Sequence, residues 1–397
     1  MTDFSHTKSQ FHLPQDIVYL DGNSLGPLPK KALERVHHTM RDEWGELLIK
    51  GWNEAGWMNK PGAVGDRLAK MLGASANSIV LGDTLSIKIY QALAAALDLA
   101  GKRKIILSDT GNFPTDLYMA QGLIRTLDED YQLVLKDPQE IEDSLSSDIG
   151  VLMLTQVDYR TGRMHDMKAL TQKAQDLGII TIWDLAHSAG AVPVDLEDAN
   201  ADFAAGCTYK YLNSGPGGPA FIYVAPRHQA KISPALAGWQ GHDAPFAFDL
   251  DYRAGPQIER MRVGTPPILQ ISALEAAMDI WESVDMNDVR RKSIELCDLF
   301  IDLIEGSCPE FELASPREAA SRGSQVSFRF AEGYALMQAI IERGVIGDYR
   351  APDIMRFGFA PLYLDEDDVR RGARIIADVF KSGIWKEDKY RVRKAVT

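Results

Sequence analysis

The sequence predicts an α/β fold in which a large domain with a mostly parallel sheet is followed by a smaller α+β domain. Three observations support this: short apolar runs alternate with helical patterns over residues 56–285, the runs are apolar on both faces, and helical patterns dominate after residue 285. Strands buried on both faces are typical of parallel sheets, because the connecting helices cover both surfaces.

The predicted strands of the large domain are short apolar runs bounded by turn residues. Helical patterns separate them, and this alternation predicts successive β-α-β units. The strands lie at residues 78–81, 104–107, 149–154, 179–183 and 220–224, and the helices at 85–99, 115–125 and 167–177.

The last part of the chain has a different pattern. Helices are predicted at residues 287–304, 334–343 and 365–380, with one strand at 325–330. We therefore predict an N-terminal segment of residues 1–55 that joins the small domain, a large cofactor-binding domain of residues 56–285, and a small domain of residues 286–397.

Composition and charge exclude several classes of function. The chain has 397 residues, 45% of them hydrophobic, which is enough for a large core, and its formal net charge is −13 with no basic block. We therefore expect neither nucleic acid nor a membrane as a partner. No export signal or membrane span is visible, and the three cysteines form no C-x-x-C pair, so we expect a cytoplasmic location and no metal site.

Two glycine motifs match well-known signatures only loosely. The run Gly215-Pro216-Gly217-Gly218-Pro219-Ala220 fits G-x-G-x-x-A, but a strand follows it where a dinucleotide fingerprint requires a helix. Gly22-Asn23-Ser24-Leu25-Gly26 fits G-x-S-x-G, yet Pro27 follows where a nucleophile elbow would enter a helix. We interpret the second motif as a turn that packs or lines a site.

An acid and a lysine carry the main functional signal. Asp184 follows the predicted strand 179–183, at the edge of the sheet where open parallel sheets bind ligands, although it also suits a simple cap of residues 185–187. Lys210 stands between Tyr209 and Tyr211 and before the glycine-rich turn. Aromatic neighbours indicate a partly desolvated amine, which favours its nucleophilic form, whereas an ordinary lysine would only cover apolar surface with its stem.

Together the two residues predict pyridoxal phosphate chemistry. This chemistry requires a lysine that holds the cofactor as a Schiff base and a carboxylate that keeps the pyridine nitrogen protonated. A phosphate cradle is predicted where residues 83–86 open a helix with Ser86 in its first turn. Phe113 precedes another predicted helix and is either a stacking partner of the cofactor ring or a core residue.

Arg356 is the remaining candidate, because it lies within the otherwise apolar stretch 354–359. A buried guanidinium requires a partner. A substrate carboxylate bound bidentately and an internal salt bridge both meet that requirement.

These motifs together resemble the kynureninase family of fold-type-I pyridoxal phosphate enzymes, and the resemblance covers nearly the whole chain. The Asp184 and Lys210 pair alone indicates only the broad superfamily. The matching segments are residues 19–26, 113–116, 183–187, 209–213, 238–242 and 265–269.

The resemblance implies hydrolytic cleavage of L-kynurenine to anthranilate and L-alanine by a homodimer with shared active sites. It implies that Lys210 is the Schiff-base lysine, that Asp184 is the partner of the pyridine nitrogen, and that Tyr209 is a candidate proton donor. The other implied cofactor contacts are Leu85 (through its backbone N–H), Ser86, Phe113, Thr115, Asp116, Thr155, His187, Trp239 and Thr265, with Trp239 and Thr265 donated by the other subunit. The implied substrate contacts are Ser24, Trp52 and Arg356.

Two positions bear on the choice of substrate. Animal members of the family prefer the 3-hydroxylated substrate and carry a histidine and an asparagine where this sequence has Trp52 and Thr265. We therefore expect a preference for L-kynurenine over 3-hydroxykynurenine. The alternatives are another fold-type-I enzyme, such as a cysteine desulfurase or an aminotransferase, and a non-catalytic pyridoxal-binding regulator.

Overall fold

The computed structural model describes residues 1–127 and 130–394. The strands are β1 (Phe11–His12), β2 (Val18–Tyr19), β3 (Leu28–Pro29), β4 (Ile79–Leu81), β5 (Ile105–Asp109), β6 (Gln132–Lys136), β7 (Ile149–Thr155), β8 (Ile180–Asp184), β9 (Phe203–Cys207), β10 (Ala220–Val224), β11 (Glu312–Leu313), β12 (Gln325–Arg329), β13 (Val345–Ile346), β14 (Asp348–Arg350) and β15 (Ile354–Gly358). The α-helices are α1 (Phe4–Ser9), α2 (Lys30–His38), α3 (Gly51–Glu54), α4 (Lys60–Met71), α5 (Leu85–Ala100), α6 (Pro114–Ile124), α7 (Met167–Asp176), α8 (Pro226–Gln229), α9 (Ile268–Trp281), α10 (Met286–Ser307), α11 (Gly333–Glu342) and α12 (Glu366–Ser382). Among these described residues, no helix combines the length and the apolar character needed to cross a lipid bilayer.

A seven-stranded sheet organises the large part of the molecule, in the order β4-β10-β9-β8-β7-β5-β6. Only β10 runs antiparallel to its neighbours in this sheet. The predicted α/β fold with a mostly parallel sheet is therefore confirmed.

Both faces of this sheet are buried, as the apolar runs predicted. In β7, Val151 and Met153 belong to one hydrophobic cluster, which contains Ile89 and Leu93 of α5. Leu152 and Leu154 of β7 belong to a second cluster, which extends into the small domain. Because side chains alternate between the faces of a strand, a continuous apolar run is what two covered faces require.

Two strands of the sheet were missed by the sequence prediction. Strand β9 consists mainly of small residues, which have a weak strand propensity. Gly206 is required there because a Cβ atom would lie 2.6 Å from the ring of Phe221 on the neighbouring strand. Strand β6 lies at the edge of the sheet, where none of its residues is buried, and polar residues at both ends limit its apolar run to residues 133–135.

The small domain has a four-stranded antiparallel sheet in the order β11-β12-β15-β14. Phe300 of α10 packs on this sheet, with ring centroids 5.0 Å from Phe357. The N-terminal segment contacts both parts, since β2 pairs with β13 whereas α2 packs on α9. The domain limits 1–55, 56–285 and 286–397 stay a prediction.

Candidate active site

A cavity of about 250 Å³ lies where β7, β8 and β9 end. The last residue of each strand, respectively Thr155, Asp184 and Cys207, contributes to its wall. The predicted site residues that line it are Leu85, Ser86, Phe113, Thr115, Asp116, Thr155, Asp184, His187, Tyr209 and Lys210. The fold thus brings together residues that are more than a hundred positions apart, because parallel strands present their carboxyl ends at one edge.

Lys210 contacts a histidine within this cavity. Its Nζ atom lies 3.0 Å from Nε2 of His187, and 5.9 Å from the centroid of the Tyr209 ring. Burial, helped by the positive charge of Lys210, holds the pKa of His187 well below its usual range. The imidazole is therefore neutral, and its Nε2 atom accepts a hydrogen bond from the Lys210 amine. This leaves the ring proton on Nδ1, an atom without a partner among the described residues.

Two carboxyl groups share the buried end of the cavity. Asp184 and Asp116 are each 2% exposed, and their side chains hydrogen-bond to each other. Burial and the charge of Asp184 raise the pKa of Asp116 well above its usual value. Burial also raises the pKa of Asp184, but the charge of Lys210 and the Ala186 N–H, 2.8 Å from Oδ1, oppose that rise.

These opposing effects divide the proton unequally between the two acids. Asp116 is the acid whose pKa is raised further, so it holds a proton more readily and donates to Asp184. A second donor, the Oγ1 atom of Thr155, lies 3.4 Å from Oδ2 of Asp184. The arrangement therefore offers one fixed carboxylate to a cationic nitrogen.

Another part of the cavity wall suits an anion. Helix α5 begins at Leu85, and no side chain caps the N-terminus that follows Thr84. Leu85 and Ser86 line the cavity beside Gly217 and Gly218. A side chain on Gly218 would overlap Ser214, so the wall is bare backbone at this point. Unused N–H groups at a helix N-terminus, together with the Ser86 hydroxyl, are suitable ligands for a phosphate group.

Phe113 lines the cavity and is 40% exposed, so it is not a core residue. Its ring meets that of Tyr159 edge to face, with centroids 5.1 Å apart. Tyr159 also lines the cavity and was not predicted from the sequence. The signal was available, because Tyr159 follows β7 in the way that His187 follows β8, but the turn around it carries no recognised motif.

Five predicted site residues do not line this cavity: Ser24, Trp52, Trp239, Thr265 and Arg356. Trp239 and Thr265 are exposed. Trp52 packs edge to face against Trp57, with centroids 5.9 Å apart. These residues stay predicted participants in the site.

Arg356 forms the internal salt bridge that the sequence analysis left open. Its side chain is 2% exposed, and Nε donates to Oδ1 of Asp348 at 2.6 Å, with a second contact from Nη2 to Oδ2. Nη2 also lies 3.0 Å from Oγ of Ser24, and Nη1 donates to the backbone carbonyl of Tyr159. Arg356 thus contacts the backbone of Tyr159, a residue that lines the cavity.

Comparisons with known proteins identify similar sequences. A family model described as the kynureninase C-terminal domain matches residues 289–376. Kynureninases of Burkholderia mallei and Burkholderia pseudomallei are each 48% identical to the chain, covering 98% of it and 95% of their own length. The kynureninase of Pseudomonas fluorescens is 47% identical with the same coverage.

Solved structures with the same fold are more distant in sequence. A cysteine desulfurase of Thermococcus onnurineus NA1 has a TM-score of 0.80 at 19% identity. The match covers 95% of this chain and 98% of the desulfurase chain. The cysteine desulfurase CsdA of Escherichia coli has a TM-score of 0.81 at 19% identity, with coverages of 96% and 99%. This likeness shows the fold alone and confirms fold type I.

Proposed function

The chain belongs to the kynureninase family, and we propose on that premise that it binds pyridoxal phosphate in this cavity and hydrolyses L-kynurenine to anthranilate and L-alanine. The reaction consumes one water molecule and breaks the bond between the β and γ carbons. The observation that carries the proposal is the shared cavity of Lys210, the ionised Asp184 and the uncapped N-terminus of α5.

The residues present fit the cofactor at three points. Lys210 offers an amine, Asp184 offers a buried carboxylate, and the start of α5 offers unused N–H groups beside Ser86. When bound, pyridoxal phosphate supplies an electron sink for bonds to the α-carbon of the substrate.

The chain's own residues supply attachment and proton transfer. Lys210 attaches the cofactor and then moves a proton at the α-carbon of the substrate. Asp184 would keep the pyridine nitrogen protonated, and Asp116 and Thr155 would donate hydrogen bonds to that carboxylate. Phe113 would stack on the ring, Thr115 would contact the cofactor, and His187 would remain neutral beside Lys210.

Tyr209 is the proposed proton donor. The neighbouring Cys207, together with burial, raises the pKa of the Tyr209 phenol above its usual value. The phenol therefore keeps its proton throughout the neutral range. A hydroxyl group that lines the cavity with its proton retained can donate to a carbon that leaves with an electron pair.

The substrate end of the site is assigned to Ser24, Trp52 and Arg356. Arg356 is proposed to bind the carboxylate of the substrate, and its contact with the carbonyl of Tyr159 places it next to the cavity. Trp52 and Thr265 are proposed to favour L-kynurenine over 3-hydroxykynurenine. The indole ring of Trp52 has one hydrogen-bond donor and no acceptor, so it offers the additional hydroxyl fewer partners than a histidine would.

We propose further that the protein is a cytoplasmic homodimer whose active sites each receive Trp239 and Thr265 from the other subunit. Exposed aromatic rings support an interface there, since Trp239 contacts Phe246 and Phe246 contacts Phe248. Phe246 is 65% exposed and Phe248 is 79% exposed. Three free, buried cysteines support a reducing compartment.

The family membership and the cysteines disfavour a cysteine desulfurase. A desulfurase requires a mobile cysteine that carries a persulfide. Cys207 is 3% exposed, and Cys297 and Cys308 are both 0% exposed.

Release of anthranilate from L-kynurenine, followed by its fluorescence, tests the proposed activity. The wild-type protein with pyridoxal phosphate should release anthranilate, and Lys210→Ala should not. Sulfide release from cysteine by the same preparation would instead support the desulfurase alternative. The homodimer is tested by the molar mass in solution from light scattering.

A further inference from the structure

Lys88 is a fully buried lysine that the proposed reaction does not use. It lies near the start of α5, and its side chain is 0% exposed. Its Nζ atom contacts Oδ2 of Asp83 at 3.1 Å, Oε1 of Gln91 at 3.0 Å and the carbonyl of Met261 at 3.1 Å. An ammonium group has three protons to donate, so these partners satisfy it.

The position of Asp83 connects this lysine with the anion site. Asp83 directly precedes Thr84, the cap residue of α5, and its φ of +55° is a left-handed conformation that a non-glycine residue seldom adopts. Its contact with Lys88 helps to hold that conformation. The carboxylate of Asp83 is 31% exposed and lies beside the helix N-terminus, where an uncompensated negative charge would oppose a phosphate.

Lys88 also contacts a second segment of the predicted site. Met261 precedes Arg262, whose Nη2 atom binds Oε1 of Gln240, the neighbour of Trp239. Burial lowers the pKa of Lys88, Arg262 lowers it further, and the charge of Asp83 opposes both effects. The ammonium therefore depends on the carboxylate, because a fully buried positive charge would be costly without a negative partner.

We propose that Lys88 is a positioning residue for the phosphate end of the cofactor, where it cancels the charge of Asp83 and fixes residues 83–86 against the segment that carries Met261. The inference rests on the proposed function, because it takes the start of α5 as the phosphate site. Its consequence is selective: loss of Lys88 weakens ligands that carry a phosphate and spares those that do not.

The test compares pyridoxal 5′-phosphate with pyridoxal, which lacks the phosphate. Both are titrated by equilibrium dialysis against the full-length protein from which the cofactor has been removed. In Lys88→Met, the affinity for pyridoxal 5′-phosphate should fall about tenfold, as for one charge-assisted interaction, whereas that for pyridoxal should change less than about twofold. An equal loss for both ligands, or no loss for either, would overturn the proposal.

A second variant removes both charges. In Lys88→Met combined with Asp83→Asn, the ratio of the two affinities should return to within about threefold of the wild-type ratio, since no carboxylate then opposes the phosphate. Asparagine also tolerates the left-handed conformation. If Lys88→Met does not fold, this double variant decides the matter, and a ratio that remains about tenfold below that of the wild type contradicts the proposal.

Lys60→Met is the matched control. Lys60 is also a buried lysine, whose Nζ atom pairs with Glu275 at 2.7 Å, and neither residue lines the cavity. This variant should leave the ratio of affinities unchanged. If the wild-type protein binds neither ligand, the proposed function fails. If the wild type binds pyridoxal 5′-phosphate and Lys88→Met shows no selective loss, only the role of Lys88 fails.

Discussion

The Nζ atom of Lys210 lies 3.0 Å from the Nε2 atom of His187, and burial keeps that imidazole neutral. The two residues follow neighbouring strands of the sheet, since His187 comes after β8 and Lys210 comes after β9. A neutral imidazole can orient the amine by accepting a hydrogen bond from it. This relationship leads to the first prediction.

His187→Phe should reduce the loss of stability in acid. Because the pKa of His187 is lowered by folding, the unfolded chain takes up a proton below about pH 6.5 that the folded protein does not, so the wild type loses stability as the pH falls. The variant lacks this contribution. Its free energy of unfolding, relative to the wild type, should therefore rise by up to about 1.4 kcal/mol between pH 6.5 and 5.5.

Urea unfolding of the cofactor-free proteins at pH 7.5, 6.5 and 5.5 measures this difference. His37→Phe is the control, since His37 is exposed on α2 and should leave the pH dependence unchanged. Parallel curves for the wild type and His187→Phe would show that the imidazole is protonated in the folded protein.

Asp116→Asn and Asp184→Asn should differ in their effects. Asparagine resembles a neutral carboxylic acid, so Asp116→Asn should keep the rate of anthranilate release within about tenfold of the wild type. Asp184→Asn removes a buried negative charge opposite the pyridine nitrogen. A hydrogen bond to a charged group contributes about 1.5–3 kcal/mol, so this substitution should lower the rate of anthranilate release about 10- to 100-fold.

Each variant serves as the control for the other, because the two acids occupy the same buried end of the cavity. The rates of anthranilate release and the dissociation constants for the cofactor are compared at pH 7.5. Equal damage from both substitutions would mean that Asp116 is ionised, contrary to the effect of Asp184 on its pKa.

Arg356→Lys should raise KM for L-kynurenine more than it lowers kcat. Lysine cannot bind a carboxylate bidentately, so a role in substrate binding predicts a rise in KM of about tenfold. Steady-state kinetics with L-kynurenine separate the two parameters. Arg350→Lys is the control, because Arg350 pairs with the same Asp348 at 2.7 Å but has no assigned role in substrate binding. An unchanged KM in Arg356→Lys would leave Arg356 a structural role only.

The double substitution Trp52→His and Thr265→Asn should shift preference toward 3-hydroxykynurenine. The wild type should show the higher kcat/KM with L-kynurenine, because Trp52 and Thr265 together have fewer hydrogen-bond donors and acceptors than histidine and asparagine. A hydroxyl group left without a partner on burial costs about 1–3 kcal/mol. The measurement is the ratio of kcat/KM for the two substrates, with each single variant as a comparison. A wild type that favours the hydroxylated substrate would refute this assignment.

Local patterns in the sequence were sufficient for most of the fold. The strands β4, β5, β7, β8 and β10 were predicted because burial on both faces leaves an apolar run. The missed strand β9 shows the limit of this approach, because its Gly206 is required by the close approach of Phe221, a residue on another strand.

The site divides in the same way. The sequence by itself determined the chemistry of Asp184 and Lys210, because a strand-end acid and a lysine between tyrosines carry that signal locally. Only the tertiary structure decided that Asp116 holds a proton, that Asp348 binds Arg356, and that Lys88 neutralises Asp83. These properties depend on distances between side chains and on the exclusion of water, and both arise only when distant parts of the chain pack together.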